Sequence, residues 1–111
     1  MAFESLIPAQ LAQGAVAASP TTLYTAPALT RALVTTIDIA NTTAASVRIT
    51  VYLVPSGGSP AAANTLLSNV DVPGNGSLQW TGSQVIGPGA SIRATGAATG
   101  LTLTASGAEA V

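Results

Sequence analysis

Arg31–Pro55 reads RALVTTIDIANTTAASVRITVYLVP, and its periodicity decides the fold class. The first arm sets Leu33, Thr35, Ile37 and Ile39 on one face and Val34, Thr36 and Asp38 on the other. The second sets Val47, Ile49, Val51 and Leu53 against Ser46, Arg48, Thr50 and Tyr52. Alternation of this kind in β-branched residues marks strands with one buried face. Asn41-Thr42-Thr43-Ala44-Ala45 between them is small and polar enough to reverse the chain, so the stretch reads as a β-hairpin. A register with Ile37 opposite Ile49 and Ile39 opposite Val47 also brings Asp38 opposite Arg48 on the outer face. The expected structural pair is therefore Asp38 with Arg48. A lone hairpin cannot bury enough surface to stand, so later strands must cover its apolar face.

Outward from this stretch, the chain supplies further short strands punctuated by turn residues. Thr21–Thr25 (TTLYT) is closed by Ala26-Pro27, where the residue before proline is pushed to extended geometry. Pro55 to Pro60 breaks the pattern, and Ala61 to Asn64 reads as one helical turn within the longest connection. Leu66, Ser68, Val70 and Val72 mark the inner face of the next strand, followed by a turn at Pro73-Gly74-Asn75-Gly76. Ser77–Thr81, Gln84–Ile86, Ser91–Thr95 and Leu101–Ala105 complete the series, with Gly87-Pro88-Gly89 and Gly96–Gly100 as turns. About eight short strands and no long helix predict an all-β antiparallel sandwich or jelly roll. Residues 1–20 (MAFESLIPAQLAQGAVAASP) show no sustained period, and they read as an extended N-terminal arm preceding a sandwich domain over 21–111.

Composition narrows the chemistry. The 111 residues make one domain, with no Cys, His or Lys and a charged fraction of 6%, far below the roughly 25% usual for soluble domains. A surface of Thr, Ser, Ala, Gly and Asn suits a protein whose neighbours in an assembly cover much of it. Without His or Lys the many hydroxyls have no obvious base, and the acids Glu4, Asp38, Asp71 and Glu109 are not placed as a catalytic pair. Neither Gly57-Gly58 nor Gly87-Pro88-Gly89 precedes a helix that could cradle phosphate. The chain reads as a non-enzyme without cofactor, metal or small-molecule substrate. Arg31, Arg48 and Arg93 are dispersed, which speaks against nucleic acid. No apolar run nears the ~20 residues of a membrane span, and the first residues do not resemble a secretory signal. Trp80 reads as core or as a sugar-stacking platform, and Tyr52 as an edge or interface residue. Candidate partner contacts are the apolar arm residues Phe3, Leu6, Ile7 and Leu11, the outer-face Tyr52, and the long connection with Ser56, Gly57, Gly58, Ser59, Pro60 and Asn64.

Four short motifs carry a resemblance: Tyr24-Thr25-Ala26-Pro27, Ala40-Asn41-Thr42, Tyr52-Leu53-Val54-Pro55 and Gly87-Pro88-Gly89-Ala90. Over roughly residues 20 to 107 the chain resembles small all-β virion proteins of tailed bacteriophages. It departs from them at Ala90-Ser91, where an Asp is frequent, and in lacking a Lys near Arg31. The resemblance implies a structural virion component, foremost a capsid decoration (cement) protein. Such a protein is made in the host cytoplasm and seated on the capsid surface, with the major capsid protein and copies of itself, in trimers for instance, as partners. A head-spike base or minor tail protein is the neighbouring alternative, and a carbohydrate-binding β-sandwich module the alternative of another class.

Overall fold

A computed structural model describes residues 6–18, 20–96 and 100–110. The strands in chain order are β1 (Leu6–Ala15), β2 (Thr21–Thr25), β3 (Arg31–Asn41), β4 (Val47–Val54), β5 (Thr65–Val72), β6 (Ser77–Ile86), β7 (Ser91–Gly96) and β8 (Leu101–Ala110), with one 3-10 turn at Ala62–Asn64. They form two four-stranded sheets, one ordered β1-β8-β3-β6 and the other β2-β7-β4-β5, and every pairing is antiparallel. Each loop from β1 to β8 crosses from one sheet to the other or links neighbours, which is the connectivity of an eight-stranded jelly roll. The all-β antiparallel sandwich read from the sequence is the fold.

Between the sheets, Val34, Ile37 and Ile39 of β3 and Leu101, Leu103 and Ala105 of β8 meet Val47, Ile49 and Val51 of β4 and Ile92 and Ala94 of β7. These are the alternating apolar sets of the sequence, and their burial from both sides is what makes each strand's inner face pay no penalty in water.

The expected hairpin does not form. β3 lies in the first sheet between β8 and β6, while β4 lies in the second between β7 and β5. Asp38 therefore faces Gln79 and Thr104, and Arg48 faces Asp71, to which its Nε donates at 3.1 Å. The Asp38–Arg48 pair is replaced by Arg48–Asp71, exposed on both sides. The cause is Asn41. Its buried amide donates to the carbonyls of Ala45 (2.8 Å) and Val72 (3.1 Å), and its Oδ1 accepts from the Thr43 N–H (2.9 Å) and hydroxyl (2.7 Å). These four bonds turn the chain out of one sheet and across to the other, where a hairpin turn would have kept it in place.

Two further expectations change. Within β3 the register breaks between Val34 and Thr36 against both neighbours. The extra residue, Thr35, ties its hydroxyl to the Ser106 carbonyl at 3.1 Å. A bulge of this kind moves later residues to the opposite face, so Val34 rather than Leu33 is fully buried while Ile37 and Ile39 stay inside. Opposite the bulge Gly107 is obligatory, since a Cβ there would stand 1.8 Å from the Leu33 oxygen. On β6 the same break absorbs Gly82 and Ser83, so Ser77–Ile86 is one strand and not two.

The boundary at residue 20 also moves. Leu6–Ala15 pairs along β8 as an edge strand, and Leu11, Ala12 and Val16 are part of the core. A bulge between Gln10 and Ala12 had hidden the period of this segment. The described part of the expected arm belongs to the sandwich.

Replacing Asn41 with Ala should lower stability by about 2 kcal/mol, because the buried Val72 carbonyl loses its donor and the crossing loses its bonds to Ala45 and Thr43. Asn41→Asp should be at least as damaging, since a carboxylate accepts but cannot donate. Urea unfolding followed by Trp80 fluorescence measures both, and a loss under about 1 kcal/mol would remove Asn41 from this role.

Candidate interaction surface

The two ends of the sandwich differ in chemistry. At one end the β3–β4 crossing, Gly76, Asn75 and Gly100 are laced together: Asn75 N–H donates to Thr43 O (2.7 Å), Asn41 N–H to Gly76 O (2.9 Å) and Thr42 N–H to Gly100 O (3.0 Å). Small polar residues close this end. The other end gathers the start of β1, the β2–β3 turn, the Pro55–Asn64 connection, the β6–β7 turn and the end of β8. Registers place them together: Ile7 faces Glu109, which faces Ala32, which faces Ile86, while Thr25 and Val54 both face Ser91.

All three large apolar side chains that stand exposed among the described residues lie at this second end: Leu29 at 80%, Val85 at 64% and Ile7 at 50%. On the outer face of the first sheet, Pro8, Ala108, Leu33 and Val85 form one register row across all four strands. Next to it a groove of about 460 Å³ is lined by Leu53, Pro55, Ser56, Ile86, Gly87 and Pro88 among others. The lining is more apolar than polar and carries no charged side chain, with Ser56 and Gln84 as its polar side chains, a composition that suits contact with another surface more than capture of a charged ligand.

Leu29 is the unusual member. It is the third residue of a tight turn closed by Thr30 N–H on Pro27 O (3.2 Å), and its φ is 62°. This position favours glycine, and a leucine there carries roughly 1–2 kcal/mol of backbone strain. A strained backbone that holds an apolar side chain out in water stabilises nothing within this chain. Sequence reading passed over Leu29 because Pro27-Ala28-Leu29-Thr30 lacks the glycine that signals such a turn.

Of the candidate contacts from the sequence, Leu6, Ile7 and the Ser56–Asn64 connection come together at this end, where Ser56 abuts the turn at Gly89. Within this connection Asn64 fixes the loop: its Oδ1 accepts from Ala61 N–H (3.0 Å) and its amide donates to Ser59 O (2.9 Å). Leu11 is core. Tyr52 lies mid-sheet, half-buried and opposite Arg93 and Thr65, away from the apolar end. Phe3 lies outside the described residues. Trp80 packs half-buried against the core, its indole over Gly82.

One polar clasp borders this end. Tyr24 of β2 donates its hydroxyl to Glu109 Oε2 of β8 at 2.5 Å, linking the two sheets. Burial first, then the hydrogen bond to Glu109 and its negative charge, push the Tyr24 phenol well above its usual range. Among the described residues no cluster of three or more His, Cys, Asp or Glu is present, and no helix is long and apolar enough to cross a membrane.

No family model matches the chain, and neither does any curated protein. Among solved structures, a chain of the T13 infectious bursal disease virus particle is similar with a TM-score of 0.48 and 13% identity, over 96% of this chain and 30% of that one. A chain of the Gx strain of infectious bursal disease virus gives 0.42 and 12%, over 95% and 39%. The present chain thus spans about a third of the length of each.

Leu29→Gly should raise stability by about 1 kcal/mol by relieving the left-handed backbone; chemical denaturation measures it, and a loss of stability would show that the leucine supports the fold. Tyr24→Phe should cost about 1 kcal/mol at neutral pH. Because the folded phenol titrates above its unfolded value of about 10, the clasp's contribution is complete below that pH and is lost as pH rises. The stability gap between the wild type and Tyr24→Phe should therefore close in strong alkali, and a gap constant with pH would refute the assignment.

Proposed function

We propose that this protein is a structural component of a virus particle, and within that class a capsid decoration (cement) protein of a tailed bacteriophage. It binds the capsid surface without covalent chemistry, across contacts between subunits of the major capsid protein. The observation that carries the reading is the apolar end, where Leu29, Val85, Ile7 and the Ser56–Asn64 connection gather at one end of the sandwich. The strained Leu29 supports it, since that strain is retained for no benefit to the isolated fold. The sequence motifs over residues 20 to 107 supply the phage part of the reading. The reading assigns no catalysis and no cofactor to the chain. Trp80 packs on the core from one side and is half-buried at the sheet edge, which fits a core-anchoring role better than that of a flat sugar platform.

Attachment of this kind rests on apolar burial and main-chain hydrogen bonds. Of three basic and four acidic residues in the chain, Arg48 and Asp71 already pair with each other. Salt screens exposed charges over a Debye length of ~8 Å at physiological strength and leaves apolar contact nearly untouched.

The test is rebinding of purified protein to particles stripped of it, with copies per particle counted by quantitative mass spectrometry. Cement predicts hundreds of copies, retained through a sodium chloride series and lowered at least tenfold in affinity by Leu29→Asp. A handful of copies would assign the protein to a spike base or the tail. Release at moderate salt, or indifference to Leu29→Asp, would show that the apolar end is not the attachment face.

A further inference from the structure

We propose that two copies of this chain associate through their β6 strands, forming one continuous eight-stranded sheet across a two-fold axis at Gln79. The inference stands on the sheet edges and is independent of the particle reading above.

A sheet edge offers a row of unpaired N–H and C=O groups to any other strand, and natural edges are blunted by proline, charge, bulges or shortness. Three of the four edges here are blunted. β1 carries Pro8, which has no N–H, and a bulge between Gln10 and Ala12. β2 has five residues and breaks register between Thr22 and Tyr24. β5 carries Asp71 and breaks register twice against β4, with Asn69 in the left-handed region at φ 51°. β6 is ten residues long, with no proline and no charge, and its one break in register lies at Gly82 and Ser83, beyond the Ser77–Thr81 segment. From Ser77 to Thr81 it pairs with β3 in unbroken register, from Ala40 opposite Ser77 to Thr36 opposite Thr81. Its other side bears no strand among the described residues.

The side chains of this segment complement themselves. With Gln79 on the axis, antiparallel pairing sets Leu78 opposite the partner's Trp80, and Trp80 opposite the partner's Leu78. Both residues face inward and are only half-buried at the edge, packed on the core from one side alone. Extending the sheet covers their open side with an aromatic–aliphatic cross-strand pair, twice over. On the outer face Gln79 meets its own copy, and two amides opposite each other each offer a donor and an acceptor. Ser77 meets the partner's Thr81, again two hydroxyls. No like charges oppose one another, because the strand has none. This is the isologous geometry that a two-fold interface requires.

Analytical ultracentrifugation of the full chain over a concentration series should give a species of twice the 10.8 kDa chain mass. Gln79→Lys puts two ammonium groups opposite each other at an exposed position, so the fold should survive while dimerisation weakens at least tenfold. Circular dichroism and thermal unfolding of that variant verify the fold. The chain has no cysteine, so a single Gln79→Cys variant reports the axis: mild oxidation should cross-link it readily, while Gln13→Cys on β1 and Thr22→Cys on β2 should not cross-link. A monomer at every concentration would overturn the proposal. So would a dimer indifferent to Gln79→Lys, or cross-linking as efficient through β1 or β2 as through β6.

Discussion

The fold depends on how the chain leaves the first sheet after β3. Asn41 is buried and has both of its amide functions used, twice each, on Thr43, Ala45 and Val72. The bonds to Thr43 and Ala45 shape the crossing, and the bond to Val72 ties it to the end of β5 in the opposite sheet. A buried amide satisfied in this way is stable only in this geometry, because any other exit leaves it or its carbonyl partners desolvated without a partner. The crossing sets β3 and β4 face to face across the core instead of side by side. Every later pairing follows: β5 pairs with β4, β6 returns to β3, and β7 and β8 fill the remaining central positions.

The same economy of polar groups separates the two ends of the molecule. At the Asn41 end, the loops satisfy one another's backbone and leave little for a partner. At the other end Leu29, Val85 and Ile7 project into water, and a leucine occupies a turn position better suited to glycine. The clasp from Tyr24 to Glu109 holds the sheets together beside this surface. Stability is therefore concentrated in the crossings and the core, while the exposed apolar groups gather where the fold needs them least. Edge protection follows a related division: proline, bulges, brevity and charge guard three edge strands, and β6 has an open segment.

Bulges account for most of what sequence reading misplaced. A period-two pattern assumes that each residue flips the face, and one inserted residue reverses the parity of everything after it. Thr35 does this in β3, so Val34 is inside where Leu33 was expected. Gln10 to Ala12 does it in β1, so a strand with core residues read as an aperiodic arm. The sequence pattern and the fold both give eight strands, but the pattern omits β1 and splits β6 in two. Topology also separates residues that look alike in the sequence: Ile7 and the Ser56–Asn64 connection reach one end, while Leu11, equally apolar, is core.

What the sequence by itself determined is local. Alternating β-branched residues specify strands with one buried face, Pro73-Gly74-Asn75-Gly76 and Gly87-Pro88-Gly89 specify where strands stop, and the absence of His, Cys and Lys removes whole classes of chemistry. Only the tertiary structure decided which strands are neighbours. Alternation records that a strand has a core face, and it is the same whether its companion lies beside it in one sheet or opposite it in the other. Hydrogen bonds between backbones are blind to side-chain identity, so pairing is fixed by the crossings, and those rest on a few polar side chains such as Asn41 whose partners are 4 and 31 residues away.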